Sequence, residues 1–245
     1  MRNTNSLTQS AILRRYLLIP TIAFAAAFLA LTYSGLDHAI AGAIFDALGG
    51  SWRLRDNALL EVGFHQFGKY VSILAWFACI SVFIRHRKDG LVSPRQKALL
   101  LLIIAVIATT TIASTLKGVT HMDCPWDLTI FGGHKVYVPL LERDFLNAEP
   151  GRCFPAGQAS AGYAWIALYF AALLYKPEWR CKGLAVGLSF GLLLGIAQQI
   201  RGAHFLSHDL TTAWIAWVIG AIAYAAFNNL GKYNYRNEKP IAVHP

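Results

Sequence analysis

The sequence predicts an all-α, polytopic membrane protein: one bundle of six transmembrane helices with its active site at the non-cytoplasmic face. Three observations carry that expectation. Of 245 residues, 56% are hydrophobic and only 14% are charged, and the mean hydropathy is positive, a balance foreign to soluble globular domains. Six apolar runs approach the roughly 20 residues needed to cross about 30 Å of hydrocarbon. The basic residues gather in alternate connections between those runs.

The first run, Tyr16 to Leu36, follows Arg14 and Arg15, as the apolar core of a signal peptide would. Its length, and the lack of a small-residue cleavage site before a soluble region, favour a retained helix. Next comes "HAIAGAIFDALGGSWRLRD", an amphipathic stretch suited to lying along the outer membrane surface. The second and third runs are Phe67 to Ile84 and Ala98 to Leu116. The fourth, Ala159 to Tyr175, and the fifth, Leu184 to Ile200, are rich in Gly, Ala and Ser ("GQASAGYAW", "GLAVGLSFGLLLG"). Small residues let helix backbones approach closely, which places these two at the centre of the bundle. The sixth run is Leu210 to Phe227. No internal repeat, low-complexity segment or long polar linker divides the chain, so residues 1–245 are expected to form a single domain.

Arginine and lysine set the orientation. The amino terminus, the second loop "RHRKDGLVSPRQK", the turn "KPEWRCKG" and the tail hold 14 of the 22 basic residues. Both termini and the even-numbered loops are therefore expected on the cytoplasmic side. The formal charge of +9 follows largely from this topology; anionic lipid headgroups suffice as partners and nucleic acid is not required. The opposite loops, Asp37 to Gln66, Lys117 to Gln158 and Arg201 to Asp209, hold His38, His65, His121, His134, His204 and His208. Cys124 and Cys153 also fall there, where oxidation is possible, and a disulfide between them would stabilise the loop by roughly 2 to 4 kcal/mol. Cys79 and Cys181 are expected to be free, and the cysteine spacing does not suggest zinc.

Three polar clusters fall at the outer helix ends. They are "STLKGVTHMDCPW" with Lys117, "GRCFPAGQASAG" with Gln158, and "QQIRGAHFLSHDL" with Arg201, His204, His208 and Asp209. Singly, each has an ordinary explanation: a lysine snorkelling to the interface, a proline-started packing helix, a solvated loop histidine. Their occurrence together on one face points to function.

In order and spacing the clusters resemble the membrane-bound type 2 phosphatidic acid phosphatase superfamily, whose pattern is Lys, six residues, Arg-Pro; then Pro-Ser-Gly-His; then Ser-Arg, five residues, His, three residues, Asp. In "KGVTHMDCP", Lys117 and Pro125 match while Cys124 stands at the Arg position. In "PAGQAS", Pro155 and Gly157 match while Gln158 stands at the His position. In the third motif His204 aligns with the nucleophile, Gln198 with the Arg and His208 with the Asp, with Asp209 one step on.

The resemblance implies hydrolysis of a lipid phosphate or diphosphate through a phosphohistidine at His204, needing no metal or cofactor. It also implies a bacterial inner-membrane location with the site facing the periplasm. Lys117 and Arg201 would cradle the phosphate, with Arg152 or Arg143 as substitutes, and Ala156 and Gly157 would add backbone N–H groups at a helix start. Asp209 or His208 would hold the second ring nitrogen of His204. At the Gln158 position the family has a histidine that protonates the leaving group and then activates water. Glutamine cannot exchange that proton, and general acid-base catalysis is worth roughly 100- to 10,000-fold.

Three explanations of Gln158 stay open: an introduced replacement, a substitute such as His121 or His134, or a non-catalytic lipid-binding or lipid-transport protein. A lipid phosphotransferase is a further alternative. A metal or haem site on His204 and His208 is another, but it leaves Lys117 and Arg201 unexplained. Trp126, Phe131 and Tyr137 are expected either to line a headgroup pocket or to anchor the loop at the interface.

Overall fold

In the computed structural model, residues 8–86, 93–145 and 151–237 are described, the side chains of 65 and 230–237 excepted. Of the basic residues that set the expected orientation, Arg2, Arg87, Lys88 and Lys239 lie outside the described residues, as do the side chains of Lys232 and Arg236.

The described chain is helical apart from loops and a single β-bridge between Leu128 and Lys135. We number the helices α1 (Gln9–Tyr33), α2 (Leu36–Ala47), α3 (Leu59–Arg85), α4 (Pro94–Val119), α5 (residues 157–175), α6 (Pro177–Ile200) and α7 (Leu206–Asn237). Five of them, α1, α3, α4, α6 and the first 24 residues of α7, are long and apolar enough to cross a membrane. The fourth apolar run is helical throughout but interrupted: Gly157–Tyr163, a 3-10 turn at Ala164–Ile166, then Ala167–Tyr175. Helix α2 occupies the amphipathic stretch and is separated from α1 at Gly35, whose φ of 81° ends the preceding helix.

Sequence chemistry accounts for the local irregularities. Pro20 has no N–H to give the carbonyl four residues earlier. The chain answers with a π-helical stretch at Arg14–Leu18, and the Tyr16 carbonyl instead accepts from the Trp217 indole at 2.8 Å, so a backbone defect in α1 becomes a tie to α7. Helix α4 starts on a capping box in which Ser93 and Gln96 satisfy each other's backbone, with Pro94 at the first turn.

At the centre, α6 lays a spine of glycines against α5. A Cβ on Gly183, Gly187 or Gly191 would come within 3 Å of Leu168, of the Trp165 and Ile166 backbone, or of the Tyr163 ring, respectively. The 3-10 turn of α5 lies at this closest approach. Gly162 meets the α6 backbone reciprocally at Gly191, which is the close backbone contact that small residues permit. Polar side chains also tie helices inside the bundle: Trp165 donates to Ser72 at 2.9 Å and Trp76 to the Ile103 carbonyl at 3.0 Å.

Candidate functional site

One end of the bundle gathers the last turn of α4, the start of α5 and the α6–α7 connection, and the loop after α4 is laced to them. Cys124 and Cys153 are joined by a disulfide with Cα atoms 5.2 Å apart. Cys153 N–H donates to the Met122 carbonyl at 3.0 Å, and the Thr120 hydroxyl to the Phe154 carbonyl at 2.6 Å. Trp126 N–H donates to the Gly202 carbonyl at 3.0 Å and Ala156 N–H to the His208 carbonyl at 3.3 Å. The bonds bring "CFPAG" alongside "GAHFLSHD", segments some fifty residues apart in sequence.

His204 is at the focus and is 2% exposed. Its Nδ1 lies 2.6 Å from the Cys153 carbonyl oxygen, its Nε2 lies 3.0 Å from Gln158 Oε1, and Lys117 Nζ donates to that same Oε1 at 3.4 Å. Burial, reinforced by the positive charge of Lys117 and by His208, holds the ring well below its ordinary pKa, so it is neutral. A neutral imidazole has one N–H. The short contact to an acceptor-only carbonyl assigns that proton to Nδ1, leaving a lone pair on Nε2 directed at Gln158 and Lys117. That lone pair and the Lys117 ammonium converge on one Gln158 atom, Oε1, so the carboxamide oxygen accepts from the lysine and offers Nε2 no donor.

Gly157 positions Lys117. A Cβ there would sit 2.7 Å from Lys117 Cδ, so the missing side chain is what lets the lysine lie across the start of α5. The first-turn amides of α5 have no carbonyl inside the helix to bond; that of Ala156 donates to the His208 carbonyl. Lys117, Gly157 and Gln158 line a cavity of about 240 Å³ together with Lys69, Thr110 and Ser114. A second cavity of about 240 Å³ shares Lys69, Thr110 and Ala161 and runs on past Ile73, Trp76 and Ile107. A polar mouth thus leads into an apolar groove between α3 and α4.

Several expected partners lie elsewhere. Asp209 does not hold His204. It accepts from Gln199 at 2.6 Å and packs over Gly195, where a Cβ would meet its carboxylate at 2.5 Å. The reason is helical register: one residue beyond the family spacing is about 100° further round α7, which turns Asp209 toward α6. His208 does sit beside His204, with Nδ1 atoms 3.4 Å apart, a distance at which the bond is weak. The Phe154 ring packs edge-on against it.

Arg201 is turned toward the segment before α3. Its Nε donates to the Arg55 carbonyl at 2.6 Å, one Nη to Gln198 at 3.3 Å, and the other lies 3.6 Å from Glu61. Only its charge reaches His204. Arg143 is engaged too: with Lys135 it clasps Asp123, at 2.9 and 2.8 Å. Arg152 is exposed and acts on Lys117 electrostatically. Among the described residues neither His121 nor His134 hydrogen-bonds to His204 or Gln158, and no group of three His, Cys, Asp or Glu side chains could ligate a metal.

The loop aromatics serve packing. Phe131 packs on Phe45 and Trp52, Tyr137 on His38 and Phe205, and Trp126 lies under the Arg55 guanidinium at 4.5 Å. Asp37 of α2 is 1% exposed and accepts the Ser207 N–H at 3.1 Å. An acceptor at the amino terminus of α7 satisfies an orphan donor there, so α2 steadies the helix that follows His204. Burial raises the Asp37 carboxyl above its ordinary pKa and lowers that of His38.

Sequence reasoning missed the Cys153 carbonyl, Lys69, Gln199 and Asp37. The backbone carbonyl has no residue signature, whereas the isolated lysine opening an apolar run at Lys69 was a visible signal.

An apolar helical bundle whose polar interior at one end holds a neutral histidine beside a lysine defines a membrane-type protein equipped to meet an anion. The PAP2 superfamily model matches residues 98–232, a stretch that contains Lys117, Cys153, Gln158 and His204, and the chain belongs to that superfamily. Membership brings the expectation of phosphatase activity on phosphate esters. No curated protein and no solved structure matches the chain significantly.

Proposed function

We propose that the protein hydrolyses the phosphate or diphosphate of a membrane lipid through a phosphohistidine on His204. In this reading α5 is the sixth membrane crossing, both termini are cytoplasmic, and the site faces the periplasm of a bacterial inner membrane. The observation that carries it is the 2.6 Å contact between His204 Nδ1 and the Cys153 carbonyl, because it commits the nucleophilic lone pair to Nε2, on the side where Lys117 lies.

Nε2 attacks phosphorus as the bond to the leaving oxygen breaks, and water then attacks the phosphohistidine, releasing inorganic phosphate and restoring the neutral ring. Lys117 and the amides of Gly157 and Gln158 offset the charge on the phosphoryl oxygens. With glutamine at 158 the leaving oxygen takes its proton from water, and no side chain activates the hydrolytic water. The groove between α3 and α4 suits a hydrocarbon tail whose phosphate lies at the Lys117 mouth. Lipid A phosphate, undecaprenyl diphosphate, phosphatidylglycerol phosphate and phosphatidic acid all share that chemistry.

Gln158 itself favours a second reading, a protein that binds such lipids without turning them over. Phosphate release from these four lipids separates the two when the unaltered chain is compared with Gln158→His and with Gln158→His plus His204→Ala. The catalytic reading expects activity from Gln158→His alone. Lipid binding without release from any of the three selects the binding reading.

A further inference from the structure

At the opposite end of the bundle a larger cavity, of about 560 Å³, opens between α4, α5 and α6. Its walls are aliphatic, including Leu99, Leu102, Ala172 and Val186, while Arg95, Lys176 and Lys182 border it with Trp179. Arg95 opens α4 and Lys117 closes it, so the two ends stand about 33 Å apart at 1.5 Å per residue. None of the three cations pairs with a carboxylate among the described residues. Lys182 and Lys176 lie instead over the Trp179 ring, 4.9 and 5.8 Å from its centre. Glu178, on the same turn, does not border the cavity.

We propose that this cavity is a binding site for one anionic phospholipid, distinct from the substrate site, with an acyl chain against the aliphatic wall and the headgroup phosphate on Arg95, Lys176 and Lys182. The occupant follows from the division of chemistry. A cavity this apolar takes hydrocarbon, and three cations around its edge, without a carboxylate partner among the described residues, complement a phosphate. Basic pockets between membrane helices recognise anionic headgroups in this way, while Trp179 has the amphipathic character of an interfacial anchor. The site draws on none of the residues around His204 and stands whether or not that histidine is a nucleophile.

Native mass spectrometry of the purified full chain, titrated with phosphatidylglycerol and separately with phosphatidylcholine, tests this. Phosphatidylglycerol is expected to be retained at one equivalent with at least a tenfold preference. Arg95→Gln plus Lys182→Gln is expected to abolish the preference, Ala172→Phe to lower retention by filling the wall, and Lys117→Gln to leave both unchanged. Melting temperatures in detergent establish that each variant is folded, and the charge and volume variants probe the site independently. Equal retention of the two lipids by the unaltered chain overturns the proposal. So does an undiminished preference in the folded double variant, or loss of retention in Lys117→Gln.

Discussion

His204 and Cys153 are joined by a 2.6 Å contact from the imidazole Nδ1 to a backbone carbonyl oxygen, and the tautomer of the candidate nucleophile is thereby fixed by main chain. A disulfide anchors the residue that supplies the acceptor. Oxidation of the loop and readiness of the histidine are therefore coupled.

Replacing Cys124 and Cys153 together by serine should cost roughly 2 to 4 kcal/mol of stability, from the loop-closure entropy of the unfolded chain. In a Gln158→His background it should also lower activity, as the Cys153 carbonyl loses its anchor. Thermal unfolding and phosphate release, measured with and without reductant, check both effects.

Asp209→Asn should leave lipid phosphatase activity in that background within about threefold, because an amide oxygen still accepts from Gln199 and the residue does not touch His204. If Asp209 oriented the nucleophile, the loss would be of the 100- to 10,000-fold size typical of acid-base machinery. Steady-state kinetics of the pair of variants distinguish the two.

Gly157→Ala should weaken phosphate handling by roughly tenfold while melting within a few degrees of its parent. The added methyl meets the flexible shaft of Lys117, which gives way and carries the ammonium group off the start of α5. Gly187→Ala meets rigid backbone at Trp165 and Ile166 and should instead destabilise by about 1 to 3 kcal/mol, the usual range for overpacking. Melting temperature and activity, read together, separate the two glycines.

Acid should destabilise the fold through His204. Its folded-state pKa lies well below the ordinary 6.5, so as pH falls through 6.5 the unfolded chain takes up a proton that the folded chain refuses. Stability from this group is complete above that pH and declines below it. His204→Asn should therefore lose less stability than the parent between about pH 7 and pH 5, as followed by thermal unfolding.

Much of this was legible in the sequence because it rests on composition and small residues. The apolar runs marked the helices, and the Gly-rich character of α5 and α6 marked the pair that packs backbone to backbone. Lys117, Gln158 and His204 were named from motif order, and they meet. What sequence could not supply was direction. Arg201 is three residues from His204 yet spends its hydrogen bonds on Arg55 and Gln198, because the tight turn at Gly202, with φ of 74°, faces the two side chains differently. Asp209 is one residue off the family register, and one residue on a helix is a change of face. The fourth run looked like an ordinary span, but its closest approach to α6 tightens it into a 3-10 turn.

The most direct test of the central claim exposes the unaltered chain to an aryl phosphate with a good leaving group, then quenches in base and measures intact mass and phosphopeptides. A good leaving group departs without a general acid, and Gln158 cannot activate the water that would release the enzyme. The account predicts accumulation of one phosphoryl group per chain, on Nε2 of His204, and its disappearance in His204→Ala. A chain that stays unmodified while Gln158→His turns the same substrate over, or a label on Nδ1 or on another residue, would contradict it.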